Sequence, residues 1–363
     1  MAGKIIKVVG RIGQAFLYLL IAAGIVLSAL WELERSNIAK RSAITSPEGI
    51  ESLEKVRIGG IDQWISIRGQ NRRNPVLLLV HGGPGSPQMA AARTIDRELI
   101  KDFVVVNWDQ RGAGKTFSFF TPASSFTLEQ FLSDTNELTE ILKQRFGVPK
   151  IYISGHSWGS VLGAISASQH PDNYYAYIGV GQLESGEANE AVSYRFTLEE
   201  AERQKNERAI QELRSIGPPP YPLGSVMTQR KWLGDFGGGM FYGEHRMDAY
   251  SYMGSLMQGS PEYSFSDMIC FFFGSFRSLT LMWPAFLQIN LPVQAQKIAV
   301  PVYLMVGRHD YNTPWENALH YAKLLNVPES HIFWFENSAH APNFEEVEKF
   351  ALAMRRVKTE TYK

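Results

Sequence analysis

Short, continuous runs of apolar residues alternate with longer segments that repeat apolar residues at helical spacing. The runs are typical of parallel strands buried on both faces. Thr127 to Phe146 is the clearest helix, with Thr127 as its N-cap and Gly147 at its end. The predicted strands are 56–58, 64–67, 76–80, 103–108, 150–154, 174–180, 301–307 and 331–335. This alternation predicts an α/β fold, with a mostly parallel sheet and helices on both faces.

The segment from about residue 183 to residue 296 breaks this alternation. It is richer in charge, Pro and Gly, and it predicts an inserted helical cap. Within it, 268–291 is strongly apolar. A second membrane span is one interpretation, which Arg277 and Pro284 disfavour. There are two other interpretations of this stretch: cap helices that line a substrate pocket, or cap helices that rest on a bilayer.

The N-terminal region holds a second unusual pattern, because Ile12 to Trp31 contains no charged residue. About 20 apolar residues in a helix span the hydrocarbon core of a bilayer. The flanking charges are basic before this stretch and acidic after it: Lys4, Lys7, Arg11, Glu32 and Glu34. The pattern predicts a single transmembrane helix with a cytoplasmic N-terminus, and it places the rest of the chain outside the cytoplasm.

Two other interpretations of this stretch remain open. One is a signal peptide cleaved near Ser28-Ala29, and the other is a buried core helix. With the anchor interpretation, we expect an anchor, a linker, a first core part, a cap and a second core part. Their ranges are 1–31, 32–50, 51–182, 183–296 and 297–363.

Composition excludes several classes of protein. The 36 basic and 36 acidic side chains cancel, so a general nucleic-acid binder is not expected. A lone cysteine, Cys270, excludes a disulfide-stapled scaffold, and no clustered metal-ligand spacing occurs. Gly112–Thr116 ends like a phosphate-binding loop, but the pattern needs Gly where Asp109 stands. We therefore expect no nucleotide, metal or other cofactor. For Asp109 itself, we expect an ion pair with Arg111 that braces the loop.

Gly155-His156-Ser157-Trp158-Gly159 has the G-x-S-x-G pattern of a nucleophile elbow. A predicted strand leads into it and small-residue helical sequence leads out, which is the context that the motif needs. Glycines two positions to either side of the serine allow a tight turn that exposes its hydroxyl. The pattern predicts Ser157 as a catalytic nucleophile.

A serine nucleophile needs a base and an orienting carboxylate, in the chain order Ser, acid, His. Asp310 follows the predicted strand 301–307, and His340 follows 331–335 through a polar loop. Of the 8 histidines, only His340 lies after the last strand and before the final helix. We predict Asp310 as the acid and His340 as the base, with the neighbouring His309 incidental.

His81-Gly82-Gly83-Pro84-Gly85 follows the strand 76–80 and predicts half of an oxyanion hole. Glycine lets a backbone N–H group approach a developing negative charge closely. We expect the amides of Gly83 and Trp158 as the two donors, with Gly82 as the rival of Gly83. His81 is expected to brace the loop.

These segments, together with Trp108–Gly114, resemble the α/β-hydrolase superfamily, and within it the proline iminopeptidase group of serine peptidases. The resemblance covers 56–357 and implies a helical cap over the site and release of N-terminal proline or similar residues from peptides. It also implies cap glutamates that hold the substrate's amino terminus, but no motif matches any particular one. Possible counterparts are Glu184, Glu187, Glu190 and Glu244.

The sequence therefore predicts a membrane-anchored serine hydrolase that forms an acyl-enzyme, most simply an aminopeptidase of proline iminopeptidase type. Its expected partners are a small peptide or acyl-ester substrate and, through the N-terminal helix, a membrane. A carboxylesterase or lipase-like hydrolase of apolar esters is the first alternative. A ligand-binding receptor that keeps the fold without turnover is the second.

Overall fold

An eight-stranded sheet forms the centre of a computed structural model that describes residues 2–243, 254–255 and 257–363, with side chains from residue 11 onward. The strands are β1 Ile50–Ile58, β2 Ile61–Gly69, β3 Val76–Val80, β4 Val104–Asp109, β5 Ile151–His156, β6 Tyr174–Val180, β7 Val302–Gly307 and β8 Ser330–Phe335. Their spatial order is β1-β2-β4-β3-β5-β6-β7-β8. Only the pairings β1–β2 and β2–β4 are antiparallel among these described strands. The predicted, mostly parallel sheet is confirmed.

The strand β3 explains why the central sequence reads as a continuous apolar run. All of its residues are buried, and successive side chains point to opposite faces of the sheet. Leu78 and Val80 belong to one core layer, whereas Leu77 and Leu79 belong to the other. A sheet covered on both faces therefore needs apolar residues at every position.

Helices cover both faces of the sheet. Their bounds are α1 Ala2–Arg41, α2 Ala92–Ile95, α3 Leu128–Phe146, α4 Trp158–Gln169, α5 Gly186–Arg203, α6 Glu207–Ile216, α7 Leu223–Asp235, α8 Phe265–Leu287, α9 Leu291–Gln294, α10 Trp315–Leu324, α11 Pro342–Glu345 and α12 Val347–Thr361. The predicted caps of α3 are present: Thr127 accepts a hydrogen bond from Gln130 N, and Gly147 adopts φ +62°. Helices α3 and α4 pack on one core layer and α12 on the other.

The helix α1 is longer than the uncharged stretch that predicted it. Residues 32–41, which we expected in a linker, continue the helix because they contain neither Gly nor Pro. This part also contacts the body: Trp31 Nε1 donates to Tyr263 O at 3.0 Å, and Arg35 donates to Pro261 O at 2.7 Å. The apolar part before Trp31 projects from the body and is unburied. Its exposure argues against the core-helix interpretation.

The helix α8 lies in the predicted cap and is also long and apolar enough to cross a membrane. Its polar side chains tie it to the body. Asp267 pairs with Lys115 at 2.6 Å, and Arg277 donates to the carbonyl oxygens of Ser118 and Thr121 at 2.8 and 2.5 Å. The helix therefore contacts the hydrolase body at both Asp267 and Arg277, and its other side is exposed.

Candidate active site

Ser157 occupies a sharp turn between β5 and α4. Its backbone adopts φ +56° and ψ −119°, a conformation that L-residues rarely adopt. Both flanking glycines are required sterically: a Cβ on Gly155 would lie 2.1 Å from Gly159 O, and a Cβ on Gly159 would lie 2.0 Å from Val80 O. The turn is held by a hydrogen bond from Ser157 N to Val180 O at 2.9 Å. The serine therefore stands at the carboxyl end of the sheet on a strained backbone.

Asp310 and His340 meet in two neighbouring loops, which follow β7 and β8. His340 Nδ1 lies 3.0 Å from Asp310 Oδ2, and both side chains are buried. The other carboxylate oxygen, Oδ1, accepts hydrogen bonds from the amides of Asn312 and Thr313 at 3.0 and 2.9 Å. These bonds fix the carboxylate so that it can orient the imidazole and stabilise its protonated form.

His156 connects this pair to the serine turn. Its Nε2 donates to the carbonyl oxygen of His340 at 2.9 Å, and the two rings lie 4.7 Å apart between centroids. Burial, followed by the charge that His340 would carry, lowers the pKa of His156 to about 3. His156 is thus a neutral donor that holds the backbone of the predicted base beside Ser157.

The side chain of His309 contacts a tyrosine of the predicted cap, beside this arrangement. Its ring stacks on Tyr242, with 3.5 Å between ring centroids. Burial lowers the pKa of His309. Its side chain therefore packs on an aromatic ring beside the site.

The loop His81–Gly85 lies over the serine turn. A Cβ on Gly82 would lie 3.0 Å from Ser157 Cβ, so the loop passes directly beside the nucleophile. Gly83 adopts φ +115°, where a side chain would be strained. Trp158 is the first residue of α4, and its amide has no intrahelical acceptor. The amides of Gly82 or Gly83 and of Trp158 can therefore converge on the space above Ser157.

His81 and Gln110 brace this loop from behind. His81 Nε2 accepts from Gln110 N at 3.2 Å, and Gln110 Nε2 donates back to His81 O at 2.9 Å. Burial lowers the pKa of His81 to about 4, so the ring is neutral and can accept this bond. Gln110 Oε1 also accepts from Trp158 Nε1 at 3.3 Å. The loops after β3 and β4 and the first turn of α4 thus support one another.

The expected ion pair between Asp109 and Arg111 is wrong. Arg111 extends to α3, where its Nε and Nη2 donate to the two carboxylate oxygens of Asp134 at 3.0 and 3.1 Å. Asp109 instead accepts the Tyr263 hydroxyl at 2.5 Å and Lys115 N at 2.8 Å. The two side chains diverge because Asp109 ends β4 toward the cap, whereas Arg111 follows in the turn.

The described part of the predicted cap segment, 183–296, contacts the candidate site directly. His340 N donates to Gly239 O at 3.3 Å and Tyr311 N donates to Gly238 O at 3.0 Å, so the loop after α7 holds both the acid and the base loops. From α8, Ser275 Oγ donates to Gly85 O at 2.6 Å. The cap is therefore hydrogen-bonded to three of the loops that carry the predicted site residues.

The candidate glutamates for an amino terminus lie in different surroundings. Glu184 is 2.5 Å from His320 Nδ1. Glu190 is fully buried, where it pairs with Arg230 and accepts from the Tyr221 hydroxyl at 2.9 Å. Glu187 is exposed, and Glu244 lies outside the described residues. Of the described candidates, Glu184 and Glu190 therefore already have partners within the protein, whereas Glu187 is exposed.

The chain is similar to known proteins along most of its length. The family described as the alpha/beta hydrolase fold matches residues 75–207. A probable aminopeptidase, YbaC, from Bacillus subtilis (strain 168) is 33% identical over 86% of this chain and 98% of its own length. The chain belongs to the α/β-hydrolase superfamily. The resemblance to the proline iminopeptidase group is thereby confirmed.

One further relative and one solved structure are also similar to this α/β-hydrolase. A proline iminopeptidase from Saccharolobus solfataricus is 26% identical over 81% of this chain and 88% of its own length. The solved structure of a membrane phospholipase A, described as a bacterial virulence factor, superposes with a TM-score of 0.60. The superposition covers 96% of this chain and 98% of the phospholipase chain, and the two sequences are 17% identical. At that identity the likeness concerns the fold alone.

Sequence reasoning missed two side chains of this α/β-hydrolase site. The Thr313 hydroxyl donates to Asp310 Oδ2 at 2.9 Å and lies 3.0 Å from His340 Nδ1. Glu345 is partly buried and accepts from Tyr242 N and Ala339 N at 2.6 and 2.8 Å, and its loss of solvent contact raises its pKa to about 8. Neither belongs to a motif that we used, although Thr313 lies only three residues after the predicted acid.

Proposed function

We propose that this chain is a serine hydrolase in which Ser157, His340 and Asp310 act as nucleophile, base and orienting acid. The observation that carries the proposal is the buried contact of 3.0 Å between His340 Nδ1 and Asp310 Oδ2, next to a serine on a strained turn. With Nδ1–H directed to the carboxylate, the unprotonated Nε2 of the imidazole can take the serine proton.

The proposed reaction proceeds in two halves. Ser157 Oγ attacks an acyl carbonyl while His340 takes its proton, and the amides of Gly83 and Trp158 stabilise the oxyanion. Gly82 is the rival donor. His340 then returns the proton to the leaving group. The leaving group departs, and the acyl group remains bonded to Ser157 Oγ as an acyl-enzyme. Water, deprotonated by the same histidine, hydrolyses the ester to release the acid.

The preferred substrate is a peptide with a free N-terminal residue, as for an aminopeptidase of proline iminopeptidase type. Similarity to a protein named a probable aminopeptidase over 98% of its length supports this assignment. We also propose the expected division of the chain: a core from 51–182 and 297–363, and a cap from 183–296 over the site.

A carboxylesterase or lipase-like activity is the second candidate. A membrane phospholipase A shares the fold over 96% of this chain. A peptidase and an esterase would both form an acyl-enzyme on Ser157. The two candidate activities therefore differ only in whether the attacked carbonyl belongs to an amide or to an ester.

Comparing chromogenic substrates on the full chain in detergent tests both candidates. We expect faster release from prolyl or other aminoacyl nitroanilides than from nitrophenyl acyl esters, with Ser157→Ala as the control for both. Ester turnover without aminoacyl turnover would refute the aminopeptidase assignment. Failure of Ser157 to react with a fluorophosphonate probe in folded protein would instead favour a receptor without turnover.

We also propose that α1 anchors the chain in a membrane, with its N-terminus cytoplasmic and the hydrolase domain on the other side. The unburied apolar helix supports this proposal. In membranes, we expect the intact chain to resist extraction by high salt and alkaline carbonate. Mass spectrometry should detect the peptide that contains residues 12–31. A mature chain that starts near Leu30 would support a cleaved signal peptide instead.

A further inference from the structure

The first part of helix α8, residues 265–278, has its apolar side exposed and small residues on its buried side. Its exposed side carries Ile269, Phe272, Phe273 and Phe276, at the i, i+3, i+4, i+7 spacing of one helix face. Its buried side near the active-site loops carries Gly274 and Ser278. Four large apolar side chains on one outward face require an apolar partner.

A neighbouring loop extends this apolar face. Phe119 contacts Phe273, with 5.9 Å between ring centroids, and Phe120 is 95% exposed. Arg277 holds the loop against α8 through the carbonyl oxygens of Ser118 and Thr121. We call the resulting surface the aromatic patch: Phe119, Phe120, Ile269, Phe272, Phe273 and Phe276.

The patch lies next to the point where the proposed anchor leaves the body. Trp31 ends the uncharged stretch of α1, and its ring contacts the ring of Phe265, the first residue of α8, at 6.0 Å between centroids. Trp31 Nε1 also donates to Tyr263 O. A bilayer that surrounds the apolar part of α1 has its surface near Trp31. The body surface around Trp31 and Phe265 then lies next to that bilayer surface. Tryptophan at this position also suits the membrane–water interface.

We propose that the aromatic patch inserts into the interfacial region of the same bilayer that α1 spans. This inference depends on the proposed anchor, and it adds a second, peripheral contact with lipid. The apolar face of α8 lies in the membrane surface, as in interfacial amphipathic helices. Its opposite face stays bonded to the active-site loops through Ser275 Oγ and Gly85 O at 2.6 Å.

Site-specific fluorescence in lipid nanodiscs tests this proposal with the full chain. Cys270 is the lone native cysteine, so Cys270→Ser provides a background for single cysteines. An environment-sensitive label is attached through Phe272→Cys, Phe276→Cys, Leu20→Cys or Leu352→Cys. Leu352 is a matched control because it is 60% exposed, compared with 65% for Phe272, and it lies on α12. Each nanodisc holds one copy of the chain and is prepared with or without spin-labelled phospholipid.

We expect the lipid-borne quencher to reduce the fluorescence at 272 and 276 at least about twofold, and to leave the label at 352 unchanged. Quenching at 20 reports on the anchor separately. Quenching at 20 with none at 272 or 276 overturns the patch and retains the anchor. Quenching at 272 and 276 with none at 20 refutes the anchor, and with it the proposal that the patch inserts into a bilayer that α1 spans. A second preparation holds two copies of the chain per nanodisc. A blue shift at 272 that appears only in this preparation, without lipid quenching, overturns the proposal in favour of a second copy of the chain as the partner.

Discussion

The Tyr263 hydroxyl donates to Asp109 Oδ2 at 2.5 Å and so joins the predicted cap to the last residue of β4. The carbonyl oxygen of the same tyrosine accepts a hydrogen bond from Trp31 Nε1 at 3.0 Å. One buried residue, Tyr263, therefore contacts both the proposed anchor helix and the end of β4. Changes in this contact should be measurable as changes in stability.

Asp109→Asn should change how stability depends on pH. Burial raises the pKa of Asp109 from 3.8 to about 7. Between these values the unfolded chain releases a proton that the folded protein keeps, so the free energy of unfolding falls as pH rises. Because asparagine does not ionise, the variant should gain up to about 4 kcal/mol relative to wild type between about pH 4 and pH 8.

The measurement is urea unfolding of both proteins across this pH range. Asp96 and Glu345 also have raised pKa values, but they are present in both proteins and cancel in the difference. Parallel stability curves for wild type and variant would show that Asp109 is ionised throughout, contrary to the expectation.

Arg35→Ala should loosen the junction between α1 and the cap. The guanidinium donates to the carbonyl oxygens of Ser260 and Pro261 at 3.2 and 2.7 Å. Without these bonds, we expect amide protection in 258–264 to fall about tenfold by hydrogen exchange. The exposed Arg41 on the same helix provides the control, since Arg41→Ala should leave this protection unchanged. Equal effects of the two variants would contradict a specific role for Arg35.

Arg111→Ala should be strongly destabilising because it leaves the buried carboxylate of Asp134 without its cation. Both side chains are almost fully buried. Removing one partner of such a pair typically costs about 3–5 kcal/mol. The exposed pair of Arg203 and Glu200 is the control, and Arg203→Ala should not measurably shift the unfolding midpoint. Similar midpoints for the two variants would refute a structural role for the buried pair.

The sequence predicted those features that one local pattern determines. Burial on both faces makes β3 a continuous apolar run, and parallel strands bring Ser157, Asp310 and His340 to one edge of the sheet. The partner of Arg111 was missed because it lies on α3, and side-chain direction after a turn is not set by sequence spacing. The extent of α1 beyond Trp31 was missed because the uncharged stretch ends there, although no Gly or Pro ends the helix before Arg41.

Ser157→Ala and His340→Ala should each lower kcat/KM by about 10⁴-fold or more, because they act in the same proton transfer. The double variant should therefore be no more impaired than Ser157→Ala. The measurement uses the best chromogenic substrate of the full chain, with circular dichroism to establish folding. Additive losses in the double variant would show that His340 acts in a different step from Ser157.

Thr313→Val should reveal a positioning role that no motif indicated. The Thr313 hydroxyl donates to Asp310 Oδ2 at 2.9 Å and lies 3.0 Å from His340 Nδ1, so it restrains both members of the pair. Because valine keeps the shape and removes the hydroxyl, we expect kcat to fall roughly tenfold and KM to change less than about twofold. Thr313→Ser keeps the hydroxyl and should recover most of kcat. A serine variant as slow as the valine variant would assign the effect to packing rather than to the hydrogen bond.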